Sequence, residues 1–523
     1  MAEGPEGGSP PLGALFTLAC TLCLAFLVHW WWKERKQLKG PPSWPFIGAT
    51  IHHILNIHRF HDYITDYSHR FGTFRVAYPS FNYLYTTNPR NVEHMLKTNF
   101  DNYGKGKFAH DVQEEVFGDG IFSVDGKEWK RQRKIASYEF ASKHLKEFGE
   151  LAFIENAIKL VKFLIHQCRG ECTVEMQDVF LRLLFDSFCK VGFGLEMSTL
   201  QKTPPAEQLA FVNAFDYCNY MMFFRYVDPL WKFKRWLKVG KEAKLANDVA
   251  TLDGIVYSFI EQRRKEVSKG DEDINRHDLL SRFLAVGEAN SEQYTDRQIR
   301  DIILNFMIAG RDTTALTLSW FLYSLCENPR VQEKLVEELL QIEPEGFNAR
   351  LPRGDFPSES QIHSFAKLLT YEKLSKMPYL QACLQETLRL YPPVPLDFRV
   401  AQGRDVYPDG MVVNKGDCIV VAVYSMGRMT SLWGEDAEEF KPERFVKDGI
   451  CEQPSPFKLP AFWAGPRMCL GKDFAILQMK ITLAILLRFF KFEIVHGHKV
   501  QYKVMLTLHM SESGLKLNVL PRA

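Results

Sequence analysis

The stretch Phe462-Trp463-Ala464-Gly465-Pro466-Arg467-Met468-Cys469-Leu470-Gly471 carries the most chemistry in this chain. A nearly continuous apolar helix is expected to follow, from about Lys472 to Phe490. A sulfur at a helix start is favoured as thiolate, because unpaired backbone N–H groups and the positive dipole end face it. Gly465 and Gly471 remove side chains where backbone must approach closely. Arg467, two residues before the cysteine, can reach a propionate as a charge-assisted pair. Such a loop can hold a haem iron through Cys469. The alternative for a lone cysteine is a buried structural thiol. The 11 cysteines are scattered, with no pair of CxxC motifs at zinc-finger spacing, and the others read as small buried hydrophobes of a reducing compartment.

Three further clusters invite a chemical reading. Ala309-Gly310-Arg311-Asp312-Thr313-Thr314 lies inside a long helix expected from about Asp301 to Cys326. An acid and a hydroxyl there are locally unfavourable, which hints at function. Gly310 in mid-helix costs about 1 kcal/mol against alanine and opens a groove, while Thr313 has the simpler option of bonding its own helix carbonyl. Glu386 and Arg389 share one helix face ahead of Tyr391-Pro392-Pro393, and their apolar neighbours point to burial rather than to a weak surface pair. Trp129 and Arg133 are one turn apart, with Lys127, Lys130, Arg131 and Lys134 on the opposite face. That basic face is either solvated or a docking stripe for an acidic partner.

The pattern Phe-x-x-Gly-x-Arg-x-Cys-x-Gly around Cys469 resembles, at every position, the haem-binding loop of the cytochrome P450 superfamily, and the likeness extends over roughly residues 40 to 520. It implies haem b with Cys469 as axial thiolate and Phe462, Gly465, Arg467 and Gly471 shaping the loop. Trp129 and Arg133 would hold a propionate, with Arg399 a third candidate. Asp312 and Thr313 would relay protons to dioxygen as general acids, and the thiolate's electron push would favour O–O cleavage. Glu386, Arg389 and Arg444, the last from Pro442-Glu443-Arg444-Phe445, would form a buried structural triad. The stretches Cys469-Leu470-Gly471-Lys472-Asp473-Phe474-Ala475 and Tyr424-Ser425-Met426-Gly427-Arg428-Met429 further resemble the plant long-chain fatty acid omega-hydroxylase clan. That likeness implies oxygen insertion into long-chain fatty acids, with in-chain hydroxylation or epoxidation of another lipophilic substrate as the alternative. A haem-thiolate isomerase or dehydratase, needing no reductase, usually lacks the acid–threonine pair; a non-catalytic haem carrier is the remotest option.

The elements that must position these residues are mainly helical with a smaller β part, as in the P450 fold, preceded by one transmembrane helix. Residues 1–11 read as a lumenal N-terminus, 12–32 as a transmembrane signal anchor, 33–45 as a basic and Pro-rich tether and 46–523 as the monooxygenase domain. Leu12 to Trp32 holds no charge and matches a ~30 Å hydrocarbon core. Trp30 to Trp32 suit the headgroup zone, and Lys33, Arg35, Lys36 and Lys39 follow, which leaves the domain cytosolic on the endoplasmic reticulum. A cleaved signal peptide would need a basic n-region and a small-residue cleavage site, both missing. Strands are expected at 73–77 and 83–87, mostly helix from 90 to 340, a short helix with exposed loops at 264–297, a surface loop at 343–362, and strands with turns at 397–424. Aromatic and basic residues interleave at 215–237, which suits either a membrane interface or helix core.

Composition excludes other classes. The 523 residues carry a net charge of only +2, which gives no bulk signal for nucleic acid. No Gly-x-Gly-x-x-Gly stands between a strand and a helix, and there is no P-loop. Electrons would therefore come from NADPH only indirectly, through a separate NADPH–cytochrome P450 reductase.

Overall fold

The computed structural model describes residues 39–44, 47–78, 82–168, 173–201, 203–228, 230–268, 278–289, 294–344, 347 and 355–522, with scattered positions between 13 and 29. Of the anchor expected at 12–32 only those scattered positions are described, and residues 33–38 and 45 of the tether lie outside the described residues. Among the described residues, no helix is long and apolar enough to cross a membrane.

The main helices are α1 (Phe60–Phe71), α2 (Lys107–Phe117), α3 (Gly126–Ala141), α4 (Lys143–Cys168), α5 (Met176–Phe193), α6 (Ala206–Val227), α7 (Gly240–Ser268), α8 (Asp296–Gly310), α9 (Asp312–Glu327), α10 (Pro378–Leu390) and α11 (Lys472–Phe489). Their ends follow local chemistry. Glu175 caps α5 by accepting from the N–H groups of Gln177 and Asp178, and the helix stops at Gly194, φ 68°. A capping box of Thr295 and Gln298 starts α8. Pro378 opens α10, which ends before Pro392, where the residue preceding a proline avoids helical backbone. One apolar core joins α4, α5, α9 and α11, with Leu160, Phe180, Leu318 and Leu483 fully or almost fully buried.

The long helix expected from Asp301 to Cys326 is instead two, α8 and α9, meeting at Arg311. The Thr313 hydroxyl donates to Ala309 O at 2.6 Å beside Gly310, so a side chain bonds the helix backbone where the backbone is weakest. Gly310 lines the cavity, and a Cβ there would lie 2.9 Å from the Phe188 ring, so its missing side chain makes room for that ring at the wall.

One sheet of five strands reaches the site. It comprises β1 (Thr73–Ala77), β2 (Asn82–Thr86), β3 (Tyr103–Gly104), β4 (Asp397–Ala401) and β5 (Cys418–Val421), in the order β1-β2-β5-β4-β3. β1 and β2 form an antiparallel pair with Phe74 opposite Tyr85, their rings stacked at 5.3 Å. β5 runs parallel to β2 and antiparallel to β4, placing Arg399 opposite Ile419. Tyr103 opposite Ala401 adds β3. This last pairing brings residues 105 and 397–399 together despite a separation of nearly three hundred positions.

Candidate haem site

The loop before α11 is closed by its own backbone. Cys469 N–H donates to Phe462 O at 2.8 Å and Met468 N–H to Gly465 O at 3.0 Å. Gly465 has φ 64°, and a Cβ there would sit 1.9 Å from Leu96 O, so both its conformation and its space demand glycine. Gly471 caps α11 directly after the cysteine. The Cys469 sulfur opens into an internal cavity of about 310 Å³. Its deep position pushes the thiol up, opposed by the Gly471 N–H and by the charges of Arg133 and Lys472.

Ala309, Gly310 and Thr313 line the same cavity, as do Trp129, Arg133, Arg399, Phe462, Arg467 and Gly471. Thus the residues expected around a haem are gathered from α3, the α8–α9 junction, β4 and the cysteine loop. The Arg467 guanidinium lies 4.4 Å over the Trp129 ring and pairs with Asp125. Arg133 donates to Met468 O at 2.5 Å, and Arg399 stacks on Trp463 at 4.8 Å.

This cradle fits a porphyrin carrying two propionates. Lys105, Arg133, Arg399 and Arg467 face the cavity, whereas Asp397 is the one carboxylate among its described lining residues. The Nε atoms of Arg399 and Arg467 are buried without a hydrogen-bond partner, which is costly unless an anion completes them. Burial, together with repulsion from Arg399, holds Arg467 down to about 10. Burial likewise holds Lys105 down to about 8, with Arg399 repelling it and Asp397, 3.0 Å away, opposing. Two added carboxylates would relieve both.

Asp312 is placed differently from Thr313. It is fully buried but does not line the cavity. Its Oδ2 accepts from Asn219 Nδ2 at 2.6 Å and lies 3.6 Å from His509 Nε2, while Oδ1 accepts from Arg311 at 3.0 Å. Burial pushes this carboxyl up, but Arg311, His509 and Asn219 outweigh it and hold the group below the usual carboxylate range. Arg311 also reaches Asp216, at 2.6 Å.

Glu386, Arg389 and Arg444 meet behind the loop. Arg389 donates to both Glu386 oxygens, at 2.6 and 2.8 Å, and Arg444 Nε to Glu386 Oε1 at 2.9 Å. Arg389 also satisfies the carbonyls of Gly427, Ala437 and Glu439, so the pair organises the backbone that leads to the loop.

Lys105, Asp125 and Asp397 escaped the sequence reading, and Trp463 stood in the cysteine loop without a role assigned to it. Lys105 sits in Tyr103-Gly104-Lys105-Gly106, where nothing in spacing separates it from a surface lysine; only the β3–β4 pairing reveals it. The aromatic–basic stretch divides by element: Phe215 and Phe223 on α6 are core, whereas Phe233 and Trp236, on the short helix Trp231–Leu237, are exposed.

Comparison with known proteins agrees with this geometry. The family model described as "Cytochrome P450" matches residues 38–519. The chain is 48% identical to Cytochrome P450 704C1 of Pinus taeda, covering 97% of this chain and 96% of that one. It is 43% identical to Cytochrome P450 704B1 of Arabidopsis thaliana (97% and 99%) and 38% identical to Cytochrome P450 86B1 of the same plant (94% and 87%). The chain therefore belongs to the cytochrome P450 family and is a haem-thiolate monooxygenase that receives its electrons from a reductase.

Proposed function

We propose that this enzyme hydroxylates long-chain fatty acids at or next to the methyl terminus. The observation that carries the reading is the cavity at Cys469, whose walls away from the basic edge are apolar: Ile121, Phe122, Phe188, Val191 and Val394. A terminal methyl holds the strongest C–H bonds of the chain, so attack there requires a passage that excludes the easier methylenes, and fixed geometry can supply that bias. The carboxylate is costly to desolvate and stays near the mouth. The likeness of the cysteine loop to the plant fatty acid hydroxylase clan supports the same substrate.

Bound haem supplies oxygen activation, and the chain supplies binding, orientation and protons. Thr313 lines the cavity together with Ser187, Thr314 and Thr317, and is the one of these in the acid–threonine pair. Asp312, one residue away and held off the cavity by Asn219, Arg311 and His509, supplies protons towards Thr313 through ordered water in this reading. The segment 12–32 anchors the enzyme in the endoplasmic reticulum membrane with the domain in the cytosol. Exposed Leu230, Phe233 and Trp236, beside Lys232 and Lys234, suit contact with that surface. Lys127, Lys130 and Lys134, exposed on α3, are the docking surface for NADPH–cytochrome P450 reductase.

The test is incubation of enzyme-bearing membranes with reductase, NADPH and a panel of fatty acids, with products identified by mass spectrometry. Terminal or next-to-terminal alcohols are expected. Mostly mid-chain alcohols or epoxides, or turnover of a compact ring compound alone, would overturn the substrate assignment. Product formed without reductase would point to an isomerase or dehydratase.

A further inference from the structure

The loop between α2 and α3 delivers Ile121 and Phe122 to the cavity wall. A loop is the least rigid support for a wall, yet Asp301 and Asn305 of α8 hold this one at Asp119 and Phe122, and Arg300 and Asn305 hold the end of α2 from which it starts. Arg300 donates to Glu115 O and Val116 O, both at 2.8 Å, and Asn305 Nδ2 to Phe117 O at 2.8 Å. Glu115 O and Val116 O are among the carbonyls that the end of α2 leaves without an intrahelical partner, and Phe117 O takes the Asn305 bond beside one from Gly120 N–H at 3.0 Å. In return, Asp301 accepts from Asp119 N–H and Asn305 Oδ1 from Phe122 N–H, each at 3.1 Å. Five backbone groups between 115 and 122 thus end on three side chains within two turns of one helix.

The contact leaves no slack. A Cβ at Gly118 would lie 2.1 Å from the Asp301 carboxylate, and one at Gly120 would lie 2.0 Å from Asn305 Nδ2. Gly118 also has φ 53°, which disfavours any L side chain. Asn305 is fully buried and Asp301 nearly so, so neither can exchange its loop partner for bulk water without cost. Asn305 is one turn ahead of Ala309, which itself lines the cavity.

We infer that Asn305 and Asp301 are positioning residues that clamp the 118–122 backbone, fixing Phe122 as the wall that decides which carbon of a fatty acyl chain is oxidised. The assignment rests on the fatty acid reading above and deepens it. Phe122 is the specificity-determining side chain; the clamp acts through it and touches no substrate. With the clamp intact, the ring excludes inner methylenes. With the clamp loosened, the loop moves and inner carbons gain access.

The experiment uses the full-length, haem-loaded enzyme carrying Asn305→Ala, Asn305→Ser, Asp301→Ala, Asp301→Asn or Phe122→Ala. Two quantities are read: hydrogen–deuterium exchange of the 118–123 segment, and the ratio of terminal to internal alcohols. Asn305→Ala should speed exchange in that segment and lower the ratio roughly tenfold, in the same direction as Phe122→Ala. Asp301→Asn, which keeps an oxygen for Asp119 N–H, should stay nearer the parent in both than Asp301→Ala. Should Asn305→Ala fail to take up haem, Asn305→Ser gives the same comparison with a smaller change. Unaltered exchange in the Asn305 variants overturns the clamp. Faster exchange with an unaltered ratio, or a Phe122→Ala enzyme with the parent's ratio, overturns the link to specificity. If no fatty acid is oxidised, the substrate reading fails alone: exchange still tests the clamp, and the product pattern is then read on the linear lipid the enzyme accepts.

Discussion

Cys469 is held where a thiolate can face a metal: its N–H is taken by Phe462 O, and its sulfur opens into the cavity. Cys469→Ala should abolish the red-shifted Soret band that the reduced carbonyl complex of a thiolate-ligated haem shows; a variant that keeps the band would remove Cys469 as the ligand. Thr313→Ala should lower the product formed per NADPH roughly tenfold to a hundredfold while oxygen consumption persists as peroxide; unchanged coupling would take Thr313 out of the proton path. Lys105 gives a pH signature. In the haem-free chain, burial and Arg399 hold this amine down to about 8. Propionates favour its charged form. Below about pH 8 the lysine is already charged and haem binding moves no proton on it. Above that, binding must take a proton up, so haem affinity falls as pH rises past about 8. Rates of haem loss to a scavenging protein, measured against pH, should show that slope in the parent and not in Lys105→Met. The cysteine loop was legible in sequence because its chemistry is contiguous. Lys105 was not, because its importance comes from a strand pairing that no local pattern records.

At the scale of elements, the strands at 73–77 and near 82–86 and the helix after Gly471 were legible, since each follows a simple period bounded by a turn or glycine. The break at Arg311 was not. Apolar spacing continues across it, and what accompanies the break is a Thr313 hydroxyl bonded to Ala309 O and a buried Arg311 reaching a half-exposed Asp216, neither of which a local pattern records. The Glu386–Arg389–Arg444 group shows what these elements depend on. Arg389 is fully buried and joins α10 to the carbonyls of Gly427, Ala437 and Glu439. Arg389→Met would fill similar space but leave Glu386 short of a partner and three carbonyls unpaired. A loss of about 3–5 kcal/mol is expected, read as haem release at lower urea concentration. Arg444→Met should cost less, because Glu386 keeps both bonds from Arg389. Equal costs for the two would mean that the triad acts as one charge cluster rather than as a backbone organiser.

The described residues form a mainly helical body with a five-stranded sheet and four smaller ones, and the N-terminal approach to the larger sheet bears on how separable an anchor can be. The family match begins at residue 38, and the described chain at 39–44 already lies against the sheet. Lys39 O accepts from Arg75 N–H at 2.9 Å, on β1, and a Cβ at Gly40 would lie 2.2 Å from Arg75 O. Trp44 and Gly48 then exchange two backbone bonds, 2.8 and 2.9 Å, and a Cβ at Gly48 would lie 2.1 Å from Ala77 O. The proline-rich segment, expected as a stiff tether between anchor and domain, covers the outer edge of β1 over its described part. A chain beginning at Leu38 keeps every one of these contacts. It should bind haem and show the parent's thiolate spectrum and denaturation midpoint. A chain beginning at Ala49 uncovers the β1 edge and loses the Lys39–Arg75 bond and the Trp44–Gly48 bridge. It should be less stable by about 1–3 kcal/mol, with the loss read as a lower midpoint for haem release in urea. Haem loss in the Leu38 chain would show that residues before 38 belong to the fold, and equal midpoints for the two chains would show that the 39–48 segment only connects.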